Sequence, residues 1–490
     1  MIHDYIGLFS ALRPELALVF GALVVLGIDL AFGRKRSLEA RLRNSATLGS
    51  LAVLAAAFFA MTAGAGGAMF GGVLMLDTLG LMTRLGVLLL ALLTLTTLPG
   101  HRLPQHPAEF VAVVLFATTG FTVMAVAQQL LLVFLAIELA SLSLYILAGF
   151  DKTRPESAEA GLKYFLFGGM AAAFLLFGFS LIYGLTGSIE LPRIAHALQG
   201  GMGGPLLAVA LVMVLVAFGF KAAAAPFHLW APDVYEGAPA SSAALIASAS
   251  KLAGVTVFVR LLWPGSLGAA ETLTGPWGAS GWMTVLAAIA GASLLLGNLA
   301  ALAQTNVRRL LAYSAIAHAG AMLIGVMIAG PVSVAPVVYY GVTYGLATVG
   351  AFGVIGAVER AGGRCQRITD LAGLYRRSPL LAGCLMVNVL SLAGVPPLAG
   401  FFAKFAVFAG ALQAGGAGSP AGALALAAIG LSAVGLYYYL VILKQAVVAA
   451  PAPEASSRLA VAPDVAFSLV VVAVLLLVLG VAPSAVFGVF

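Results

Sequence analysis

Charge is what this sequence has least of. Of 490 residues only 9% are Asp, Glu, Lys or Arg, against 62% apolar, where a soluble domain carries about 25% charged residues. That shortage excludes an ordinary soluble enzyme and leaves a polytopic membrane protein, one bundle rather than a string of soluble domains. Cysteine is nearly absent: Cys365 and Cys384 match no CxxC or metal-ligand spacing and make no disulfide framework. No HxxxH, HExxH or GxGxxG stands in a suitable context, so metal, haem, flavin and nucleotide sites have no support in this chain. A cleavable leader is not expected, because the apolar run from Leu16 is long enough to span by itself. Nor is a soluble domain or a long linker; the segment 450–463, "APAPEASSRLAVAP", reads as a short polar connector.

What is present is apolar length. A span needs about 20 residues, and fourteen such stretches run along the chain. Among them are 73–99, 109–127 and 129–149 with a short turn at Gln128 and Gln129, 205–225 continuing to about 236, 239–262, 332–358, 380–411 and a last one over 464–487. Backbone in lipid must satisfy its own hydrogen bonds, so the fold class is an all-α bundle of 14 transmembrane helices. The formal charge of +7 invites a nucleic-acid partner, but the placement of the charges speaks for topology. With fourteen spans, 17 of the 25 basic residues fall in loops on one face, including Arg34, Arg102, Arg308 and Arg364. Only Arg13, Arg193 and Arg260 fall on the other. By the positive-inside rule both termini then lie outside the cytoplasm.

The few charges inside the spans are expensive, about 2.5–3.5 kcal/mol each at mid-bilayer. Glu138, Lys221, Lys251 and Lys404 are too deep to reach the interface. A proton or ion relay explains them; the bland alternative is a static ion pair of Glu138 with one lysine, which leaves the other lysines without a carboxylate. Burial disfavours the charged form of a lysine and a nearby acid favours it, so moving the acid loads or unloads the amine. Lys163 lies one turn into its span, where it either snorkels or meets Glu138. Asp77 and Arg84, seven apart on one face, are expected to pair, and Glu15 and Asp29 are expected at the interface. His228 and His318 are candidate connectors, since histidine titrates near neutrality.

Two helices are interrupted by proline. Pro226 frees the carbonyl of Ala222, and Pro396 and Pro397 free those of Leu392 and Ala393. Discontinuous helices in corresponding places of two halves point to a transport site in an inverted-repeat protein, and these breaks lie 170 to 171 residues apart. A faint likeness of "AIELAS" (136–141) to "AIAHAG" (315–320) has an offset of 179.

These residues resemble a known family. "KAAAAPFHLWAPDVYEGAPASSAALIASASK" (221–251) and "QTNVRRLLAYSAIAHAG" (304–320) look like the hallmark stretches of the antiporter-like subunits of respiratory complex I. "IELASLSLYILAGF", "SAEAGLKYFLFGG" and the "FFAKF" lysine are similar to the N-type subunits of bacterial NADH-quinone oxidoreductase. The resemblance implies two inverted five-helix repeats with two discontinuous helices, divided as 1–108, 109–262, 281–446 and 447–490. It implies a proton path in which Glu138 and Lys221 form a charge pair, Lys163 tunes it, Lys251 is the central relay and Lys404 the exit-side carrier, with His228, His318 and water between them. It places flavin, iron-sulfur clusters and quinone in other subunits and no cofactor in this chain. The implied partners are a sister antiporter-like subunit, the small membrane subunits, lipid, protons and internal water, in a bacterial inner membrane. A subunit of a multisubunit sodium/proton antiporter, which shares these lysines, and a membrane scaffold remain the alternatives.

Overall fold

The computed structural model describes residues 2–33, 35–63, 66–101, 106–199, 204–262, 281–329, 334–361, 365–451 and 458–484. Arg34, Arg102 and Arg364, the start of the span expected over 332–358, residues 452–457 of the connector and the end of the span expected to reach 487 lie outside them. The first part contains α1 (Ile2–Ala11), α2 (Arg13–Ile28) with a π turn Asp29–Gly33, α3 (Leu38–Ala63), β1 (Gly67–Met69), β2 (Leu74–Leu76) and α4 (Thr78–Thr97). Then come α5 (Pro107–Val126), α6 (Leu130–Ala148), α7 (Pro155–Thr186), α8 (Leu191–Gln199), α9 (Pro205–Ala222), α10 (Trp230–Gly237), α11 (Ala240–Ala247) and α12 (Ala249–Leu262). The rest holds α13 (Gly281–Leu302), α14 (Val307–Met327), α15 (Val334–Arg360), α16 (Leu374–Arg377), α17 (Pro379–Ala393), α18 (Ala399–Gly415), α19 (Pro420–Leu443) and α20 (Pro463–Val481).

Among the described residues thirteen crossings are long and apolar enough to span by themselves, and the shorter apolar helices α17 and α18 together make the fourteenth. The helices α11, α12, α14 and α15 are buried almost along their whole length, whereas α2, α3, α7, α19 and α20 turn apolar side chains outward. Charge is therefore costliest where α12 and α14 carry Lys251 and His318.

The halves repeat one device. Residues just before α6 and α14 bridge to residues downstream, Gln129 to Glu190 and Asn306 to Arg367, both pairs 177 apart. That register sets Glu138 against Ala315, two residues from the offset of 179 expected from the short sequence likeness. Each break has a left-handed cap 171 residues from the other, Ala223 (φ 56°) and Gly394 (φ 84°). Both breaks also contain a cis peptide, Ala225–Pro226 and Pro396–Pro397.

The structure corrects two expectations. Residues 73–76 do not begin the third span; β2 pairs antiparallel with β1, and the turn between them takes positive φ angles at Phe70, Gly71 and Gly72, two of them glycines. The helix starts only at Thr78, where the Asp77 side chain caps it by accepting from the Gly80 amide at 2.8 Å. The span expected as one helix over 239–262 is interrupted at Ser248 (φ −109°, ψ −84°), three residues before Lys251. There the regular ladder gives way to bonds from the Lys251 and Leu252 amides to the Ser248 carbonyl. Neither proline nor glycine marks this place.

Candidate functional site

Lys221 sits in the last turn of α9, where the chain leaves the helix through Ala223. The end is capped by bonds from Ala223 N to Phe220 O (2.9 Å) and Ala224 N to Gly219 O (2.8 Å). The amide of Ala225 donates to Ser293 Oγ of α13 at 2.8 Å. Lys221 is 6% exposed, and its Nζ donates to Ser141 Oγ on α6 at 3.0 Å. Glu138, one turn before Ser141, lines the same cavity of about 20 Å³, room for roughly one water. Among the described residues no carboxylate lies within 4.0 Å of the Lys221 amine. Glu138 and Lys221 thus act on one another across a cavity rather than as a contact pair. The aliphatic stem of Lys221 runs over Gly254 of α12, where a β-carbon would stand 3.2 Å from Lys221 Cγ. Gly254 is one turn from Lys251, so the second lysine follows the first along one helix face.

Lys251 is 2% exposed; its Nζ donates to the Ala315 carbonyl of α14 at 2.6 Å and lies 5.5 Å from the ring centre of Tyr344. His318 follows Ala315 by one turn. Its Nδ1 lies 2.9 Å from Tyr340 Oη and its Nε2 3.2 Å from Tyr439 Oη, which in turn meets Ser314 Oγ. Lys404 and His318 line one further cavity, again of about 20 Å³, with Tyr438 and Asn298. The Lys404 amine donates to the Ala393 carbonyl at 2.9 Å, the group that Pro397 cannot bond. Lys251, His318 and Lys404 therefore stand in series through α12, α14 and α18, and both lysines act electrostatically on the histidine.

Gly394 makes the last position possible. Its φ is +84°, and a β-carbon there would stand 2.9 Å from Lys404 Cδ. Gly394→Ala is expected to cost about 1–2 kcal/mol for the left-handed backbone alone and to push Lys404 off its carbonyl. Gly383→Ala on the same helix, where a β-carbon meets nothing within 4 Å, is the neutral control. Thermal unfolding compares the two, and equal midpoints would refute the argument.

Several expected neighbours are elsewhere. Lys163 does not meet Glu138; it donates to Asp233 of α10 at 2.5 Å and pairs with Glu159 at 2.6 Å, because α10 packs along α7 after the break. Asp233 also receives Arg309 of α14 at 2.6 Å, and Arg309 reaches Glu236 at 2.9 Å. Asp233 and Glu236 were legible as an i, i+3 pair on one helix face, but nothing local says which cations face them. His228 is half-buried between the exposed Pro226 and Leu229, and its Nδ1 is buried with no hydrogen-bond partner among the described residues. Asp77 and Arg84 do not pair. Asp77, as a cap, lies outside the helix and binds Arg260 at 2.6 and 3.0 Å. Arg84 binds Glu15 at 2.9 Å. Glu15 is accordingly buried at 5% exposure rather than interfacial, and Arg260 and Arg308, expected in solvated loops, are buried as well. Asp29 binds Arg41 at 2.6 Å near the end of the first crossing.

Residues 127–419 match the family described as "NADH:quinone oxidoreductase/Mrp antiporter, TM". The chain is 47% identical to the NADH-quinone oxidoreductase subunit N 2 of Acidobacterium capsulatum, with 98% of each chain covered. It is 35% identical to subunit N of Nitrosomonas europaea, covering 98% of this chain and 96% of that one. Among solved structures it is similar to a chain of respiratory complex I from Thermus thermophilus, with TM-score 0.78, 33% identity and 97% and 98% coverage. A chain of the Mrp complex from Dietzia sp. shares the fold, with TM-score 0.80 at 22% identity and 98% and 96% coverage.

Proposed function

The chain belongs to the N-subunit family of NADH-quinone oxidoreductase, and from that premise we propose that it moves protons across the membrane through Glu138, Lys221, Lys251, His318 and Lys404. One contrast carries the reading. The most deeply buried ion pairs that join elements use arginine: Glu15–Arg84 and Glu359–Arg308. Arginine does not release its proton in proteins. The three lysines in series instead donate to neutral oxygens, a serine hydroxyl and two carbonyls. A neutral oxygen does not hold an ammonium as a carboxylate does, so each amine is free to lose its proton and regain it. Lys163, held by Asp233, tunes the path through α10, and His228 is a further connector.

The working division of the chain is 1–108, 109–262, 281–446 and 447–490, which the 177-residue register of the bridges supports. Both termini are assigned to the periplasmic side, from the loop charges alone. The protein is an integral multi-pass subunit of a respiratory complex, and its partners are other membrane subunits of that complex. The finer assignments are a sister antiporter-like subunit, the small membrane subunits, lipid and internal water. Redox chemistry, with flavin, iron-sulfur clusters and quinone, belongs to other subunits and drives this one through conformation and field.

In assembled membranes, Glu138→Gln is expected to lower NADH-driven proton uptake on the order of tenfold, the equivalent of about 1.4 kcal/mol. Asp77→Asn, which loosens a clamp rather than the path, should change it little. Equal losses in the two variants would show that the wrong acid has been chosen. Sodium-dependent transport without NADH would favour an antiporter instead.

A further inference from the structure

Away from the lysines, the hairpin of α2 and α3 carries a second polar site. The two helices touch in mid-crossing, where a β-carbon at Gly21 would collide with Ala52 Cβ. Towards the basic face the gap between them is polar instead. Asp29 comes eight residues after Gly21, and Arg41, Asn44 and Ser45 precede Ala52 by eleven, eight and seven. With Arg36 from the turn, these residues line a cavity of about 90 Å³, room for roughly three waters or for one phosphate group. Ser45 lies seven residues into α3, about 10 Å along the helix, so the cavity stands at the border of headgroups and acyl chains.

The donors that line it have unused capacity. Arg41 is held in place, its Nε and Nη2 donating to the two Asp29 oxygens at 2.9 and 2.6 Å. Gly33, in the π turn that follows α2, makes room for that carboxylate, since a β-carbon there would overlap Asp29 Oδ1. The pairing takes two of the five guanidinium N–H groups and leaves three for another acceptor. Ser45 is 2% exposed, yet its hydroxyl makes no hydrogen bond among the described residues, whereas Thr47 on the same helix bonds the carbonyl four residues back. Nor do the Asn44 and Arg36 side chains have a partner there. The clamp at the other end of α2 differs. Arg84 is fully enclosed and donates to both Glu15 and the Ala11 carbonyl, while the Arg41 side chain is 23% exposed.

Charge and apolar surface together say what fits. Residues 34–43 include Arg34, Lys35, Arg36, Arg41 and Arg43 against one acid, Glu39. The acids that act on Arg41 are Asp29 and, from α5, Glu109. An excess of cations remains, and basic clusters beside a crossing attract anionic headgroups. Ile28 and Phe32, which line the same cavity, are exposed. A free anion would leave them in contact with nothing it can cover. A zwitterionic headgroup would bring an ammonium whose nearest acid, Asp29, already gives both oxygens to Arg41. We infer that the cavity holds the phosphodiester of an anionic glycerophospholipid from the leaflet on the basic face. Arg36, Arg41, Asn44 and Ser45 donate to the phosphate, and the acyl chains cover Ile28, Phe32 and the outward apolar side chains of the two helices. The lipid ties the hairpin together at the end that lacks an enclosed arginine clamp. This site does not depend on the proton path.

The test is lipid labelling in the assembled complex. The complex is reconstituted in phosphatidylcholine vesicles that contain a small fraction of phosphatidylglycerol with a diazirine high on one acyl chain, and labelled peptides are mapped after illumination. Labelling is expected to concentrate on the α2–α3 hairpin and to be competed by unlabelled phosphatidylglycerol. Arg36→Gln, which removes no contact among the described residues, should lower it on the order of tenfold, the loss expected for one hydrogen bond to a charged group. Arg43→Gln removes the same charge from the same segment but outside the cavity, where Arg43 pairs with Glu39 and Asp464, and should change labelling little. If Arg36→Gln assembles poorly, Asn44→Leu, which fills the cavity without altering charge, should show the same loss. Equal labelling of the hairpin by a diazirine phosphatidylcholine would overturn the site, and so would an equal loss in Arg43→Gln. Labelling abolished by inorganic phosphate at constant ionic strength would give the cavity to a free anion and overturn the lipid.

Discussion

Lys251→Met is expected to leave an assembled complex that no longer takes up protons in step with quinone reduction, with coupled turnover down by at least about a hundredfold. The magnitude corresponds to about 2.7 kcal/mol on the limiting step, comparable to the cost of moving one charge in the membrane interior. Methionine keeps the unbranched stem and fills the same space, so packing around α12 is retained and charge is what is lost. Lys251 is central because it joins two halves: Gly254 beside it carries the stem of Lys221, and Ala315, which receives its amine, is one turn from His318. Without the amine, the series from Lys221 to Lys404 loses its central cation. Quinone reduction and proton uptake measured together decide the matter. Normal uptake per electron in an intact complex would remove Lys251 from the path; Lys251→Ala should behave alike but with an added cavity cost.

The largest effect on stability is expected at Arg84. Arg84 is 2% exposed and Glu15 5%, so Arg84→Ala leaves a carboxylate in the bundle with no counter-charge. Breaking such a pair from one side costs about 3–5 kcal/mol, whereas replacing both partners with apolar groups of similar size is often neutral. Arg84→Ala should therefore lower the thermal midpoint and the yield of complex, and Arg84→Met with Glu15→Leu should restore most of the loss. Asp77→Asn should not rescue it, because the partner of Asp77 is Arg260. Rescue by Asp77→Asn, or a cost below about 1 kcal/mol, would contradict the observed pairing.

Both results depend on a difference between what is local in a chain and what is not. Apolar length is local, so fourteen crossings and a short turn at Gln128 and Gln129 could be read directly. The breaks at Pro226 and Pro397 follow from a missing N–H, and the cost of Glu138, Lys221, Lys251 and Lys404 in lipid follows from burial of charge. The interruption at Ser248 has no such marker. Asp77 and Arg84 looked like partners because both were counted as helical; one is a cap, and the cap rotates it out of register. Lys163 was expected to snorkel or to meet Glu138, and the packing of α10 on α7 gave it Asp233 instead.

By itself, then, the sequence determined that this is a membrane bundle, how many times it crosses, where two crossings break and which residues bear charge in lipid. These depend on single residues and on their distance from water along one helix. Only the tertiary structure decided which oxygen each amine meets and which arginines are clamps. Those outcomes depend on which helix faces which, and in lipid that is settled by close packing and by the pairing of the few polar groups, acting between residues as far apart as Asp77 and Arg260.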